Sequence, residues 1–511
     1  MPTKIGVETS RRRTESTGAP QHVTVACTGE VSGQPVAAVA AEAGRGTAGH
    51  RFCSAVCFHT WHQRCRDEVA RDLDRVGPRP KVAPEIAAAL ATIERDDPEE
   101  LKAAARAVEW LTLRGPQRLT QLALCEFLWY ELPGAVDSVA QGRHVAGVLG
   151  RLLEALDLSR YAGLCTAQVT TEIVRTAVER GVPAAREEFQ RAMYRSGIVP
   201  PDIPELAWGT VMGVEELEAY EATAAMLELA VTAGRLRSGS VGWRARQAEI
   251  AGEYLRSADP ALGGVSRLDR IRAERISTWA RSRGTARGRA VAGLTGRIRD
   301  PQTVPSDADE HLAPPRWLLE RAGTDGLPLT DTHALAGSVV AEAQEWFGLD
   351  GTGICLGSLH ELLLAMKALR RNGKRLVITS IGRQLLAHPE RLWAAVAGGL
   401  VGDGEGPAEA AAEGALVVLA EGRQLGREEL ARRVGAMLAG EGWRDPATGG
   451  TPDASSVRTA LRGLWIRLSA LGLLADERWL RPLRLSTIGQ AAVLAALQAR
   501  AVRPRHTLAA G

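Results

Sequence analysis

The chain is poor in aromatic side chains, which make up 4% of its 511 residues, and 12 of those 22 are tryptophan. It also lacks any apolar run near the length of about 18 residues that spans a bilayer, so we expect no membrane partner. The polar first twenty residues lack the apolar core of a secretory signal peptide. Seven cysteines, an odd number, favour free thiols over a disulfide framework. These absences predict a cytoplasmic protein.

Lysine is the second scarcity. It occurs at only five positions, so 58 of the 63 basic residues are arginine. Together with 54 glycines and abundant alanine, this bias indicates a GC-rich bacterial genome, because the codons of these residues are rich in G and C. An arginine here is therefore weaker evidence for phosphate binding than usual. The net charge of +3 excludes a chain that binds nucleic acid along its whole length, so the positions of the arginines carry the information.

Helical periodicity of apolar residues dominates the sequence and predicts a mainly α, multi-domain protein. Three of the predicted helices cover residues 171–180, 184–196 and 214–233. The predicted segments are a disordered tail (1–20), a degenerate Cys/His zinc-finger-like segment (21–75), a helix-turn-helix-like helical segment (76–166), a helical domain (167–262), an arginine-rich segment with a linker (263–314), and two similar units (315–402 and 421–511) joined by a linker (403–420).

The two C-terminal units share one order of elements. Each has a helix (residues 334–346 and 427–439), a longer apolar helix (358–370 and 455–471), a hairpin-like stretch and then a near-identical element. That element ends an apolar run in a hydroxyl residue that is predicted to cap the helix beginning at Ile381 or Ile488. In the first unit Asn372-Gly373 precedes it, and this pair is a strong signal for a two-residue hairpin turn.

This order, together with basic residues around both hairpins, resembles the winged-helix family. The resemblance implies that the helix before the hairpin enters the major groove of DNA and that the hairpin, or wing, contacts phosphates. The nucleic-acid-binding residues that it implies are Arg458, Arg462 and Arg481 in the second unit and Arg371 and Lys374 in the first. Winged helices also serve as dimerisation or protein-docking modules, and the first apolar helix offers almost nothing to address a base edge.

The most localised charge lies in residues 264–300, which contain ten arginines and three acidic residues and therefore have a net charge of +7. One interpretation places this segment along a nucleic-acid backbone, through residues such as Arg281 and Arg283, with Trp279 able to stack. The alternative is a solvated helix whose arginines pair with the acidic residues between Glu215 and Glu221. The sequence leaves these two interpretations open.

A cluster of cysteines and histidines near the N-terminus is the second candidate for chemistry. The string Arg-Phe-Cys-Ser-Ala-Val-Cys that ends at Cys57 resembles the second half of small zinc fingers of actinobacterial proteins. The resemblance implies a structural zinc ion held by Cys27, Cys53 and Cys57 with His62, and His59 or Cys65 are alternatives for the fourth position. Glu30 stands where such fingers have their second cysteine, so a decayed, metal-free finger is the other interpretation.

The overall layout is similar to that of proteins from GC-rich actinobacteria. We find no nucleophile elbow, phosphate-binding loop, kinase motif set or paired-carboxylate motif, and no cofactor other than zinc is indicated. The leading hypothesis is a DNA-binding or regulatory protein that acts through the winged-helix units and the arginine-rich segment. The alternative is a helical scaffold that docks another protein, and an enzyme of unknown type is the third. The oligomeric state is open.

Overall fold

The computed structural model describes residues 84–90, 98–114, 119–282, 284–300, 302–347, 352–445, 448–475 and 482–505. The predicted tail and the Cys/His segment lie outside these ranges. The described residues are mainly helical, as predicted, and form two compact units divided between Ile271 and Arg272, with Pro504 and Arg505 returning to unit 1. No helix among them has the length and apolar character needed to cross a membrane.

Unit 1 consists of helices with one short antiparallel hairpin. Three of its helices, Gln168–Arg180, Val182–Ser196 and Val214–Thr232, occur where periodicity predicted them. In chain order the elements are α1 Pro84–Leu90, α2 Pro98–Arg114, α3 Gln121–Glu126, α4 Val139–Ala155, α5 Ser159–Cys165, α6 Gln168–Arg180, α7 Val182–Ser196, α8 Val214–Thr232, α9 Trp243–Arg256, β1 Ala258–Asp259, β2 Val265–Ser266 and the first residues of α10 Arg267–Arg281.

The start and end of α3 follow from its sequence. Thr120 caps it, because its Oγ1 accepts a hydrogen bond from the amide of Ala123 at 3.3 Å. The helix then widens into a π-helical turn, Phe127–Glu131, and ends in a 3-10 turn that contains Pro133. Inside the π turn, the indole nitrogen of Trp129 donates to the hydroxyl of Thr170 on α6 at 2.8 Å, which ties the two helices together.

Glu228 on α8 joins three parts of unit 1 through one buried carboxylate. Its Oε2 accepts from the amide of Gln121, the first residue of α3, at 2.7 Å. Its Oε1 accepts from the hydroxyl of Tyr161 at 2.7 Å and lies 3.1 Å from Nη1 of Arg160. A carboxylate at the N-terminus of a helix satisfies an otherwise unpaired amide and interacts favourably with the helix dipole. Burial, and then the neighbouring Glu228, raise the pKa of Tyr161.

Unit 2 begins within α10, at Arg272, and contains the elements of the two similar segments that the sequence analysis identified near the C-terminus. Its further elements are α11 Thr285–Arg299, α12 Ala308–His311, α13 Ala313–Thr324, β3 Leu327–Pro328, α14 Gly337–Phe347, α15 Thr352–Ala365, β4 Leu369–Asn372, β5 Arg375–Ile378, α16 Ser380–Ala387, α17 Pro389–Gly398, α18 Pro407–Ala420, α19 Arg427–Gly440, α20 Ala454–Ala460, α21 Arg462–Ala470 and α22 Thr487–Ala501. One apolar core runs through all of them.

The elements from α13 to α17, which we name repeat A, correspond to those from α18 to α22, which we name repeat B. In repeat A the strands form an antiparallel sheet in the order β3-β5-β4. Repeat B has single bridges in the equivalent places, between Leu425 and Leu483 and between Leu474 and Leu485. The internal similarity seen in the sequence therefore extends to the order and pairing of the elements.

The junction of hairpin and helix is built identically in both repeats. In repeat A the amide of Thr379 donates to the carbonyl of Ala368 at 3.0 Å, and its Oγ1 accepts from the amide of Gly382 at 3.1 Å. A hydroxyl residue thus caps this helix, as predicted, and the helix begins at Ser380, one residue earlier than predicted. The same two bonds recur in repeat B with the same lengths, and they involve Ser486, Leu473 and Gly489.

Three local predictions in this region differ from the structure. The helix predicted to run to Arg370 ends at Ala365, because Lys367 adopts a left-handed φ of 56° that a continuing helix does not allow. The strand β4 begins two residues later, at Leu369. The turn of the hairpin is Gly373-Lys374 rather than Asn372-Gly373. Gly373 has a φ of 58°, whereas Lys374 has no positive φ. This combination matches a two-residue turn in which only the first residue has a positive φ. The helix predicted over residues 455–471 is divided into α20 and α21.

Candidate functional site

The helices before the two hairpins, α15 and α21, pack against each other. This is the most extensive contact that α15 makes with another helix. Leu359 and Leu363 of α15 and Leu468 of α21 are completely buried. Arg467 of α21 donates from Nη2 to the carbonyl of Leu400, just after α17, at 3.0 Å. The helices that a winged-helix protein would use for recognition thus form the contact between repeats A and B.

A second contact joins α17, the last helix of repeat A, to α22, the last helix of repeat B. Trp393 and Val396 of α17 and Ala496 and Leu497 of α22 are buried. The contact of α15 with α21 thus joins elements at equivalent positions of the two repeats, whereas the equivalent of α22 is α16, which also begins directly after a capped junction. An α-helix that is apolar on all sides belongs in a protein interior, and the sequence of α15 has this character.

His360 of α15 is buried at 3% exposure, and its Nε2 has no hydrogen-bond partner among the described residues. Burial lowers the pKa of His360 below its ordinary value of 6.5; Glu361 opposes this shift and Arg371 adds to it. The unfolded chain therefore binds a proton at His360 more readily than the folded chain does. The contribution of neutral His360 to the free energy of unfolding is complete above the unfolded pKa and declines as the pH falls below it.

We expect the free energy of unfolding of unit 2 to fall between pH 7 and pH 5, by up to about 1.4 kcal/mol per pH unit below the unfolded pKa. Urea titrations of the wild-type chain and of His360→Leu at both pH values measure this. The variant should lose this part of the pH dependence. The exposed His388, replaced by glutamine, is the control, and an equal change in both variants would contradict the assignment to His360.

The basic residues that the sequence singled out lie at separate places in unit 2. Arg458 on α20 is exposed and forms an ion pair with Glu428 of α19. Arg462 is exposed at the first position of α21, and Arg281 is exposed at the end of α10.

Two of the predicted basic residues, Arg283 and Arg481, lie outside the described residues. The same holds for the predicted zinc ligands Cys27, Cys53, Cys57 and His62. In the part of the chain that the structure describes, no group of three or more His, Cys, Asp or Glu side chains could hold a metal ion. The zinc finger and the phosphate contacts of these residues therefore stay predictions.

Several arginines of the +7 segment are engaged within the protein. In unit 1, Arg270 pairs with Glu215, which belongs to the acidic stretch named as a partner in the sequence, and Arg267 pairs with Asp259 at 2.5 Å. In unit 2, Arg275 is buried and donates to the carbonyl of Val502 at 2.6 Å. These contacts favour the second of the two interpretations for this segment.

Arg287 of the same segment lies at the centre of a buried charge network. Its Nη1 is 3.1 Å from Oε1 of Glu413 on α18, and its Nε donates to Oε1 of Glu441 at 2.6 Å. Arg500 of α22 donates from Nε to Oε2 of Glu413 at 3.2 Å. Burial alone would lower the pKa of Arg287, but the carboxylates of Glu413 and Glu441 outweigh it and raise the pKa.

Sequence reasoning missed this network, although one signal for it was present. Glu413 is the only charged residue between positions 410 and 420 of an otherwise apolar helix, and all eleven of these residues are buried. A lone glutamate in such a run needs a buried partner of opposite charge. Its partners Arg287 and Arg500 lie far away in the chain, so the sequence alone did not identify them.

A second group of cations surrounds the hairpin of repeat A. Lys374 is exposed and lies 2.6 Å from Asp331, and Arg375 donates to the carbonyl of Asp325 at 2.5 Å. Lys367, Arg370 and Arg371 are exposed, and no carboxylate of the described residues lies within ion-pair distance of them. Two of the five lysines of the chain are in this group, and the arginine bias of the composition does not account for lysines.

No protein-family model matches the chain, and comparisons with curated proteins and with solved structures found no match.

Proposed function

We propose that this chain is a helical protein-docking module in which repeats A and B are two winged-helix units that follow each other in the chain and pack together through α15 and α21. The order of elements in repeat A supports the winged-helix assignment: helix, strand, two helices and two strands, with the first strand paired to the last. The equivalent bridges and the identical cap at Ser486 support it for repeat B.

The packing of α15 against α21 is the observation that carries this proposal. A recognition helix reads DNA by placing its exposed face in the major groove, which is about 12 Å wide. A helix whose surface is occupied by its counterpart cannot do this without separating the two repeats. The buried leucines on both helices make such a separation costly, since each fully buried leucine contributes about 1.5–3 kcal/mol.

The arginine-rich segment gives independent support. Counterion release on nucleic-acid binding requires arginines that can approach phosphates. Arg267, Arg270, Arg275 and Arg287 instead contact carboxylates or a carbonyl of the protein. α11 contacts α18, α19 and α22. These arginines thus take part in contacts inside the unit to which each belongs.

The second candidate function is binding of duplex DNA through phosphates, and the exposed cations Lys367, Arg370 and Arg371 are the observation that favours it. Contacts of this kind are independent of base sequence and weaken steeply with salt. Such binding would leave α15 and α21 packed together.

Fluorescence polarization with a labelled random duplex, at salt concentrations of about 50 and 200 mM, separates the two candidates. Under the docking proposal we expect no binding at the lower salt concentration. Affinity that falls steeply with salt and is reduced by Arg370→Gln or Arg371→Gln would overturn it in favour of DNA binding through phosphates. The matched control is Arg191→Gln, which removes an exposed arginine of unit 1 that pairs only with its own helix.

A further inference from the structure

The edge of the sheet in repeat A offers unpaired backbone groups to a partner. The order β3-β5-β4 leaves β4 at the edge. Its register with β5 pairs Asn372 with Arg375 across a two-residue turn, and Arg370 with Val377. A two-residue hairpin closes on a hydrogen-bonded pair, and such pairs alternate with non-bonded ones. Asn372 and Arg370 are therefore the bonded positions of β4.

It follows that the amides and carbonyls of Leu369 and Arg371 point away from β5, toward the free edge. The bond from the amide of Thr379 to the carbonyl of Ala368 continues the same alternation and supports this assignment. An extended peptide that pairs with such groups adds a strand to the sheet, and this is a common mode of peptide recognition.

The charges along the edge specify the kind of peptide. Lys367 precedes β4, and Arg370 and Arg371 lie within it; all three side chains are exposed. Exposed edge strands often carry positive charges that oppose the addition of another neutral or basic strand. The same charges attract an acidic strand, because opposite charges on neighbouring strands stabilise their pairing.

From this geometry we infer that β4 binds an acidic peptide in extended conformation, which pairs with the outward backbone groups of Leu369 and Arg371 and places carboxylates against Lys367, Arg370 and Arg371. This inference rests on the proposed docking function and names its site and the chemistry of its partner. The occupant is a protein segment, and duplex DNA at the same cations is an outcome that the test distinguishes.

The test uses the full chain and a fluorescein-labelled peptide of about ten residues in which valine alternates with glutamate. We expect saturable binding in polarization, and we expect the double variant Arg370→Glu, Arg371→Glu to weaken it by at least about tenfold. The double variant Arg299→Glu, Arg391→Glu changes the net charge equally on exposed residues of unit 2 and should leave the affinity within about twofold of wild type. Equal loss in both double variants, or no binding by the wild type, would overturn the inference.

A proline scan tests the backbone part of the inference separately from the charges. Arg371→Pro removes an amide that points outward and spares the ladder of β4 and β5, so we expect it to weaken the peptide beyond the effect of Arg371→Val. Arg370→Pro removes an amide that bonds to Val377 and should destabilise the hairpin itself. If Arg371→Pro and Arg371→Val bind the peptide equally, the peptide does not pair with the edge.

A labelled random duplex and a peptide with lysine in place of glutamate complete the experiment. If the duplex binds and loses affinity in the Arg370→Glu, Arg371→Glu variant while the acidic peptide does not bind, both the inference and the docking function fail. If neither duplex nor acidic peptide binds, the inference fails and the docking function stands. Binding of the lysine peptide as tightly as the acidic one would remove the role assigned to the three cations.

Discussion

Replacement of Arg287 by methionine is expected to destabilise unit 2 by about 3–5 kcal/mol, the range typical of a buried ion pair that loses one partner. The side chain of Arg287 is 2% exposed and that of Glu413 is 1% exposed, so water cannot replace the lost guanidinium. Methionine fills much of the same volume, and the cost therefore reports the uncompensated charge of Glu413 rather than a cavity. Arg500 keeps only part of that charge paired.

Hydrogen exchange of unit 2 amides measures this effect without the assumption that the two units unfold together. The control is Arg191→Met, which removes exposed ion pairs on α7 and should change the protection little. A triple variant, with Arg287→Met, Glu413→Leu and Arg500→Met, removes the charges together and should recover much of the lost stability. A loss below about 1 kcal/mol in Arg287→Met would show that the network contributes little.

Local features of the fold could be predicted because the residues that cause them are neighbours in the chain. Thr120, Thr379 and Ser486 cap their helices through amides three residues ahead, so the sequence contains both partners. The helices of unit 1 follow from apolar spacing in the same way. The helix before the first hairpin was placed too far along the chain, because a lysine at φ 56° is an uncommon helix stop that no residue preference indicates.

Long-range partners could not be predicted, and they decide the interpretation of the site. Arg467 lies on the helix that the winged-helix pattern predicts for recognition, but its guanidinium donates to the carbonyl of Leu400, just after α17. The composition of the chain made this harder, since an arginine that binds a carboxylate and one that binds a phosphate look alike in a sequence rich in arginine. Lys367 was overlooked for another reason: it lies in a stretch predicted as helix, whereas the structure places it beside the edge strand.

The repeated glycines at the hairpin–helix junctions carry the last prediction, because each is required by a close approach of backbone. A Cβ on Gly382 would lie much closer to the carbonyl oxygen of Ala368 than van der Waals contact allows, and 2.7 Å from Cγ1 of Ile378. A Cβ on Gly489 would clash with the carbonyl oxygen of Leu473 in the same way. These carbonyls accept the amides of Thr379 and Ser486, so they cannot move without breaking the junction.

We therefore expect Gly382→Ala and Gly489→Ala each to lower the free energy of unfolding of unit 2 by at least about 2 kcal/mol, the cost of overpacking at a backbone that cannot give way. The matched control is Gly293→Ala, in the middle of α11 with no atom within 4 Å of the added Cβ. There the higher helix propensity of alanine should stabilise the protein by about 0.5–1 kcal/mol. Hydrogen exchange of peptides from each repeat measures all three variants. Because the two junctions are equivalent, a large loss at one glycine and none at the other would contradict the equivalence of repeats A and B on which the docking proposal depends.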